Sequence, residues 1–290
     1  QTCALPICLV RYGKMELSIF KKIRKIENIV KTLAGKHKKI CGFIGIVIIL
    51  TVCVIGANAW VNRYTPYFPK ESAKIFLFGE KHGEDKCFSV ELKEWQKFYA
   101  KGNRDLFIEM PYYSAQYLNQ WMRSNDDKLL LELYDELEGT RIHVSGLIEF
   151  YRNIKVTCPD TVFHGTDLGH QYYSTGARYL KYAVDVFGEN SEEVQRTKDC
   201  IRQGERYYSM DGAKSDKYRE NVMTDNFQKE YDRLSDSVDG FDNLFVIMGI
   251  YGNAHCDPRS KSVQVDCMAK QLQGKYGDII QYEYVMEMKE

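Results

Sequence analysis

Four strand-like segments of this 290-residue chain end at side chains that can move protons. Glu80 and His82 follow the first segment, Glu109 ends the second, Asp167 follows the third and His255 follows the fourth. A carboxylate can orient an imidazole and raise its basicity, so that the imidazole deprotonates water. Imidazole and carboxylate groups also bind divalent metals. The pattern therefore predicts general acid–base chemistry or a metal site.

Each of these side chains has an ordinary structural explanation when it is taken alone. Glu80 and His82 suit a solvated turn, and Glu109 before a proline can stabilise the start of the next helix. Asp167 can cap a turn, and His255 can be a hydrogen-bonded loop histidine. Because all four strands end in this way, the set as a whole favours a shared site.

The elements that must bring these side chains together are predicted by the hydrophobic pattern. The stretch 73–83, AKIFLFGEKHG, contains a short apolar run that suits a strand buried on both faces. Helix-like segments separate the strands, which implies right-handed crossovers and a mainly parallel sheet with helices on both faces. The carboxyl ends of parallel strands line one crevice. We therefore expect an α/β fold in which the candidate groups converge.

The order of the predicted elements is regular along the body of the chain. After the opening strand, further strands are predicted at 104–110, 161–165, 244–250 and 279–286. Helical segments are predicted at 87–101, 112–137 (broken near Asn125), 144–155, 176–237 and 263–276. The last strand alternates polar and apolar residues, which predicts an edge strand.

Composition and motifs disfavour several classes of function. No serine lies in a GxSxG turn and no glycine-rich phosphate loop is present, which disfavours serine hydrolases and nucleotide-binding folds. The residues after 63 hold 29 basic and 38 acidic side chains without a long Lys/Arg run, so we expect no nucleic acid partner. The nine cysteines contain no CxxC pair, which argues against a zinc framework. One bridge between Cys256 and Cys267 and free buried thiols are both compatible with the spacing.

The first part of the chain predicts a membrane anchor. Residues 40–62 carry no charge and are long enough to cross a bilayer as a helix. Eight Lys and Arg residues precede this run within 21–39, whereas Arg63 and Lys70 follow it. The positive-inside bias places the N-terminus in the cytoplasm and the body outside. Ala57-Asn58-Ala59 resembles a signal-peptidase site, so both an uncleaved anchor, which we prefer, and a cleaved one stay open.

The sequence predicts one folded domain after this N-terminal part. Residues 1–7, QTCALPI, resemble the translation of a sequencing adapter and are excluded from fold reasoning, with Met15 as the expected start. The expected organisation is a basic cytoplasmic leader at 1–39, an anchor at 40–62, a stiff linker at 63–72 and an α/β domain at 73–290. The expected location is the cell membrane, as a single-pass protein with its C-terminal domain extracellular.

Motifs spread over residues 73–256 resemble, in the same order, those of the erythromycin esterase and ChaN-like superfamily. FLFGEKHG resembles its first motif, and LFIEM resembles its second, a strand that ends in Glu. Three further stretches of this chain resemble the later motifs of the superfamily. They are GLIEFYRNIK with VFHGTDLGHQ, the helix YRENVMTDNFQ and the strand VIMGIYGNAHC.

The resemblance implies an α/β fold and a site that activates water. In the esterases, the first-motif histidine is the proposed base that opens a macrolide lactone. Carried over to this chain, His82 is the base, and Glu80 and Glu109 are its orienting or water-binding carboxylates. His255 would be the second imidazole, which stabilises charge that develops on the carbonyl oxygen. Substrate-binding or supporting roles fall to Arg219, Asp167 and His170.

The chain also departs from the esterases, which leaves the substrate open. Its first motif has the spacing GExH, as in the ChaN-like members, whereas the esterases have GExxH. Gly252 stands where esterases often carry another histidine, and the body lacks much of their helical lid. We therefore carry over the hydrolytic core and not the specificity for macrolides.

Three functions follow as expectations. The first is a membrane-anchored extracytoplasmic hydrolase of an ester or related bond in a small-molecule substrate, with no cofactor required. The second is a haem-binding or other ligand-binding protein of the ChaN-like type, with a Tyr or His iron ligand. The third is a metal-dependent hydrolase at the same site, in which His82, Glu109 and His255 would hold a divalent metal.

Overall fold

The structure is a computed structural model that describes residues 73–236, 245–260 and 265–288. The predicted leader, anchor and linker, residues 1–72, lie outside these described residues. Within the described ranges, no helix combines the length and the apolar character that crossing a membrane requires. The five described cysteines are free and buried, so Cys256 and Cys267 do not form a bridge.

A five-stranded parallel sheet forms the centre of the domain and confirms the predicted α/β class. Its strands are β1 (Ile75–Glu80), β2 (Asp105–Pro111), β3 (Val162–Asp167), β4 (Ile247–Gly252) and β5 (Ile280–Tyr284). The strand order is β3-β2-β4-β1-β5, and every neighbouring pair is parallel. The predicted edge position of the last strand is therefore confirmed.

The fourth strand ends two residues later than the sequence predicts. Gly252 is the last residue of β4 and pairs with Glu80, the last residue of β1. Leu106, Phe107 and Ile108 of β2 pair with the other side of the same strand. β4 therefore places the ends of β1 and β2 on either side of itself, where the candidate side chains begin.

Helices connect the strands in the order that the sequence predicts. They are α1 (Asp85–Ala100), α2 (Tyr112–Met122), α3 (Lys128–Asp135), α4 (Ser145–Thr157), α5 (Ala177–Phe187), α6 (Glu192–Tyr208), α7 (Ala213–Asp236), α8 (Asn253–Cys256) and α9 (Met268–Tyr276). A π-helical turn, Tyr172–Gly176, precedes α5.

The break predicted near Asn125 is confirmed. The long helical stretch 176–237 is divided at Gly188 and Gly212, whose φ angles of 87° and 55° favour glycine.

Alternating strand residues form two separate cores, one on each face of the sheet. Phe76 and Phe78 pack on one face with aromatic residues of α1, among them Trp95. Ile75 and Leu77 pack on the other face with side chains from α7 and α9. Because successive strand residues point to opposite faces, a run that is apolar at every position needs helices on both sides.

Candidate active site

The carboxyl ends of β1, β2, β3 and β4 bring the predicted side chains into one cluster. Glu80 ends β1, Glu109 lies near the end of β2 and Asp167 ends β3. His255 lies on α8, directly after β4. These groups lie together at the carboxyl ends of the strands because the strands are parallel and adjacent, as in other open α/β sheets.

Glu109 is the centre of the cluster because four groups converge on its carboxylate. Its Oε1 accepts a 2.6 Å hydrogen bond from Arg219 Nη2, and its Oε2 accepts a 2.5 Å bond from the Gly252 N–H. His255 Nε2 lies 3.5 Å from Oε1, and His82 Nε2 lies 3.9 Å from the same oxygen. Burial alone would raise the pKa of Glu109, but the charges of His255, Arg219 and His82 lower it overall.

An irregularity in β2 sets the direction of Glu109. The pairing of β2 with β3 shifts between Ile108 and Pro111, so that Glu109 and Met110 together oppose one residue of β3. Such a bulge locally disrupts the ladder and redirects a side chain. The bulge therefore explains why a strand residue can contact groups from α7 and β4.

His82 lies in the turn after β1 and is oriented by the last residue of that strand. Its Nδ1 is 2.5 Å from Glu80 Oε1. The hydrogen bond to Glu80 is the main cause that raises the pKa of His82, which reaches about 9. Its side chain is 34% exposed, whereas the Glu80 side chain is only 8% exposed. His82 therefore combines a buried orienting carboxylate with an accessible ring.

His255 is held from behind by a carboxylate of α7. Its Nδ1 is hydrogen-bonded to Glu220 Oε1, and Glu220 Oε2 accepts a 2.6 Å bond from the N–H of Met268, the first residue of α9. Burial opposes protonation of His255, but Glu109 and Glu220 raise its pKa overall. The histidine is buried, with 6% of its surface exposed. Its position is thus fixed by two helices and one strand.

Arg219 joins the ends of β2 and β3. Besides its bond to Glu109, it contacts both oxygens of Asp167, with Nη2–Oδ2 at 2.6 Å and Nε–Oδ1 at 3.1 Å. His170 Nε2 lies 3.2 Å from Asp167 Oδ2, and its Nδ1 is 2.7 Å from the Tyr208 hydroxyl. Burial opposes ionisation of Asp167, but Arg219 and His170 hold its pKa well below the usual range. Arg219 is therefore a clamp between two carboxylates.

A cavity of about 370 Å³ opens beside this cluster. Of the predicted site residues, those that line it are Glu80, His82, Glu109, Asp167, His170 and Arg219. His255 is not part of this lining, because it lies behind Glu109. Most of the remaining wall is apolar and is formed by side chains such as Phe88, Leu147 and Phe150. A volume of this size suits a small-molecule ligand.

The glycine that departs from the esterase motif lies against the cluster. A methyl group built at Gly252 would be 2.8 Å from His82 Nε2 and 3.3 Å from Glu109 Oε2. No side chain fits at this position without displacing one of these groups. The β4 backbone approaches His82 so closely that a second histidine at position 252 would not fit.

The structure shows other partners for one of the residues expected to hold a metal. The oxygens of Glu109 accept hydrogen bonds from Arg219 and from Gly252. Among the residues that the structure describes, no group of three or more His, Cys, Asp or Glu side chains is arranged to hold a metal ion.

Two carboxylates of the cluster were not predicted from the sequence. Glu220 binds His255, and Glu91 on α1 lines the cavity near Glu80. A helical pattern could have indicated both. Glu91 comes three residues after Phe88 on the apolar face of α1, and Glu220 comes three residues before Met223 on that of α7.

Comparison with known proteins supports the fold through similarity to solved structures. No protein-family model matches the chain, and no curated protein matches it. The structure is similar to a protein from Bacillus cereus, with a TM-score of 0.51 and 12% identity over 73% of this chain and 65% of that chain. A succinoglycan biosynthesis protein has a TM-score of 0.50 and 13% identity over 76% of this chain and 69% of its own.

A third similar structure is a mutant of the erythromycin esterase EreC in its open conformation. Its TM-score is 0.50, with 13% identity over 73% of this chain and 69% of that chain. The present chain thus spans just under two thirds of the Bacillus cereus protein and slightly more of the other two. At these identities the likeness concerns the fold alone. The domain has the α/β fold of the erythromycin esterase-like proteins.

Proposed function

We propose that this protein hydrolyses an ester or lactone bond in an uncharged, largely apolar small molecule. The observation that carries the proposal is the environment of His82. Its Nδ1 is bound by Glu80 at 2.5 Å, while its Nε2 lies 3.9 Å from Glu109, beyond hydrogen-bond distance. A carboxylate-oriented imidazole with its other nitrogen available at a cavity wall is suited to act as a general base.

The proposed reaction uses water as the nucleophile. In its neutral form, His82 takes a proton from water through Nε2 while the water oxygen attacks the carbonyl carbon of the ester. The resulting tetrahedral intermediate collapses when the bond to the alcohol oxygen breaks. His82 then returns the proton to that oxygen, so that an acid and an alcohol leave.

The neighbouring groups are assigned supporting roles in this proposal. Arg219 lines the cavity and supplies positive charge near the oxyanion that develops in the transition state. Glu109 is fixed by Arg219, Gly252 and His255, so it can orient the attacking water. We assign His255 to Glu109 rather than to the carbonyl oxygen, because His255 does not line the cavity.

The size and lining of the cavity support an apolar substrate. About 370 Å³ accommodates a compact organic molecule, and its wall contains apolar side chains from α1 and α4 together with Ile108 and Ile250 of the sheet. The haem-binding alternative stays a prediction. None of the contacts described above favours it over hydrolysis.

The test compares H82A with the wild type on p-nitrophenyl butyrate and on a macrocyclic lactone. General-base catalysis contributes about 10²–10⁴-fold, so H82A should lose at least about 100-fold in turnover. H143A is the matched control, because His143 packs on Tyr134 and does not line the cavity. Turnover of H82A close to that of the wild type would refute the proposal, and so would a wild type that hydrolyses neither ester.

We also propose that residues 40–62 anchor the enzyme in a membrane with the catalytic domain outside. The uncharged run and its basic N-terminal flank support this topology. The expected result is that the protein sediments with membranes and that protease added to intact cells removes the domain. A protein that stays in the soluble fraction, or a domain that is protected in intact cells, would refute the topology.

A further inference from the structure

Glu91 is a buried carboxyl for which the described part of the chain supplies no basic partner. It lies on α1, is 1% exposed and lines the same cavity as His82. Its Oε1 has no hydrogen-bond partner among the described residues. Glu94, one turn further along α1, accepts a 2.6 Å bond from Lys97. An ionised glutamate in the position of Glu91 would leave an uncompensated charge in the interior, which is costly.

The groups around Glu91 add negative charge instead of balancing it. Its carboxyl group interacts electrostatically with that of Glu80, the last residue of β1, and both side chains line the cavity. The other titratable groups facing it are Cys87 on α1 and Tyr151 on α4. Two carboxylates in contact cannot both ionise at neutral pH without a large penalty. A proton on Glu91 removes this penalty.

The contacts of the two glutamates differ. Glu80 faces His82 Nδ1 at 2.5 Å, where the ring can supply an N–H donor to it. Glu91 has no such donor, and burial together with the charge of Glu80 raises its pKa well above the usual range. A protonated Glu91 becomes a hydrogen-bond donor to Glu80.

We propose that Glu91 is a neutral acid that donates its carboxyl proton to Glu80 and so holds Glu80 against His82. Glu91 is then a positioning residue of the candidate site. In this proposal, hydrogen bonds connect Glu91 on the buried face of α1, through Glu80, to His82 at the cavity wall. The catalytic consequence rests on the proposed hydrolysis, whereas the protonation of Glu91 does not.

Infrared difference spectroscopy of the purified protein at neutral pH tests the protonation directly. The carbonyl stretch of a neutral carboxylic acid is separate from that of carboxylates. We expect this band in the wild type and in E94Q, which removes a salt-bridged carboxylate from the same helix, and we expect its loss in E91Q. A wild type without the band, or an E91Q variant that keeps it, would overturn the proposal.

Kinetics with p-nitrophenyl butyrate test the positioning role. E91Q keeps a hydrogen-bond donor toward Glu80 and should keep kcat within about threefold, whereas E91L lacks one. E91L should lose about 10–100-fold in kcat with a smaller change in KM, as variants of groups that orient a functional side chain do. Equal kcat in E91L and wild type, or equal losses in E91Q and E91L, would refute the role.

The two experiments separate failure of this inference from failure of the proposed function. If the wild type hydrolyses no ester, the hydrolase proposal fails while the infrared comparison still decides the state of Glu91. Circular dichroism establishes that each variant is folded. If E91L does not fold, the spectra of E91Q and E94Q still decide the proposal, because both substitutions preserve side-chain shape.

Discussion

Replacement of Arg219 by methionine should destabilise the protein strongly at neutral pH and much less in acid. The guanidinium lies between two carboxylates, with 2.6 Å bonds to Glu109 and Asp167, and Asp167 is 1% exposed. Loss of one partner from a buried ionic network leaves uncompensated charge and costs about 3–5 kcal/mol. Methionine keeps an unbranched apolar stem in place of the aliphatic part of arginine, so the lost packing is a small part of this free energy.

The pH dependence follows from the pKa of Asp167. In the wild type this pKa is lowered, so the stability that Asp167 contributes is present above its unfolded pKa of about 3.9 and is lost as the pH falls. In R219M, burial without the guanidinium raises the pKa of Asp167 above its unfolded value. The variant then loses stability as the pH rises from about 4 to 7. The difference in unfolding free energy between the wild type and R219M should therefore increase toward neutral pH.

Urea unfolding followed by tryptophan fluorescence over this pH range measures the difference. The control is R219M combined with D167N, which removes one of the two stranded charges and should recover part of the stability at pH 7. R219K keeps the charge but loses the two-pronged contact, so its cost should be smaller. Equal stability of R219M and wild type at pH 7, or a penalty that does not change with pH, would refute the reasoning.

Three further predictions concern individual residues. The neutral form of His82 is the proposed base, and its pKa is raised to about 9. Below pH 9, kcat/KM for p-nitrophenyl butyrate should therefore rise about tenfold per pH unit. A pH profile of kcat/KM that is flat in this range would contradict the role of His82. G252A places a methyl group 2.8 Å from Nε2 of His82, so kcat should fall by about 10²-fold at little cost in Tm, and unchanged kinetics would contradict the geometry. Both ring nitrogens of His164 face carboxylates, Asp105 at 2.8 Å and Glu230 at 2.7 Å, and these carboxylates raise the pKa of the ring despite its burial. Its contribution to stability should be complete below about pH 6.5 and decline as the pH rises through the folded pKa; urea unfolding of H164Q should lack this decline.

Much of the fold was predictable because the strands are short apolar runs between amphipathic helices. The edge position of β5 followed from its alternating pattern, and the parallel arrangement followed from the helices between strands. The end of β4 was harder to place. Tyr251 and Gly252 resemble a turn in sequence, yet they continue the pairing with β1, and the Gly252 N–H donates to Glu109 on the other side.

The candidate site was predictable where side chains follow strands and not where they come from helices. Glu80, Glu109 and Asp167 all lie at the carboxyl ends of their strands. The parallel topology alone requires these ends to lie on the same side of the sheet. Glu220 and Glu91 reach the same cluster from α7 and α1, and their partners depend on how those helices pack. Apolar periodicity could have indicated that both are buried, but it could not have paired Glu220 with a histidine 35 residues away.

The strand order also has a consequence for how the chain folds as it is synthesised. Of the described strands, β1 is the first to emerge from the ribosome, but its two neighbours, β4 and β5, begin at Ile247 and Ile280. At about 5–20 residues per second, β1 remains without a partner for roughly 10–30 s. β2 and β3 can pair earlier because they are close in sequence. The arrival of β4 joins the two parts of the sheet and, in the same step, brings the Gly252 N–H to Glu109 and assembles the candidate site.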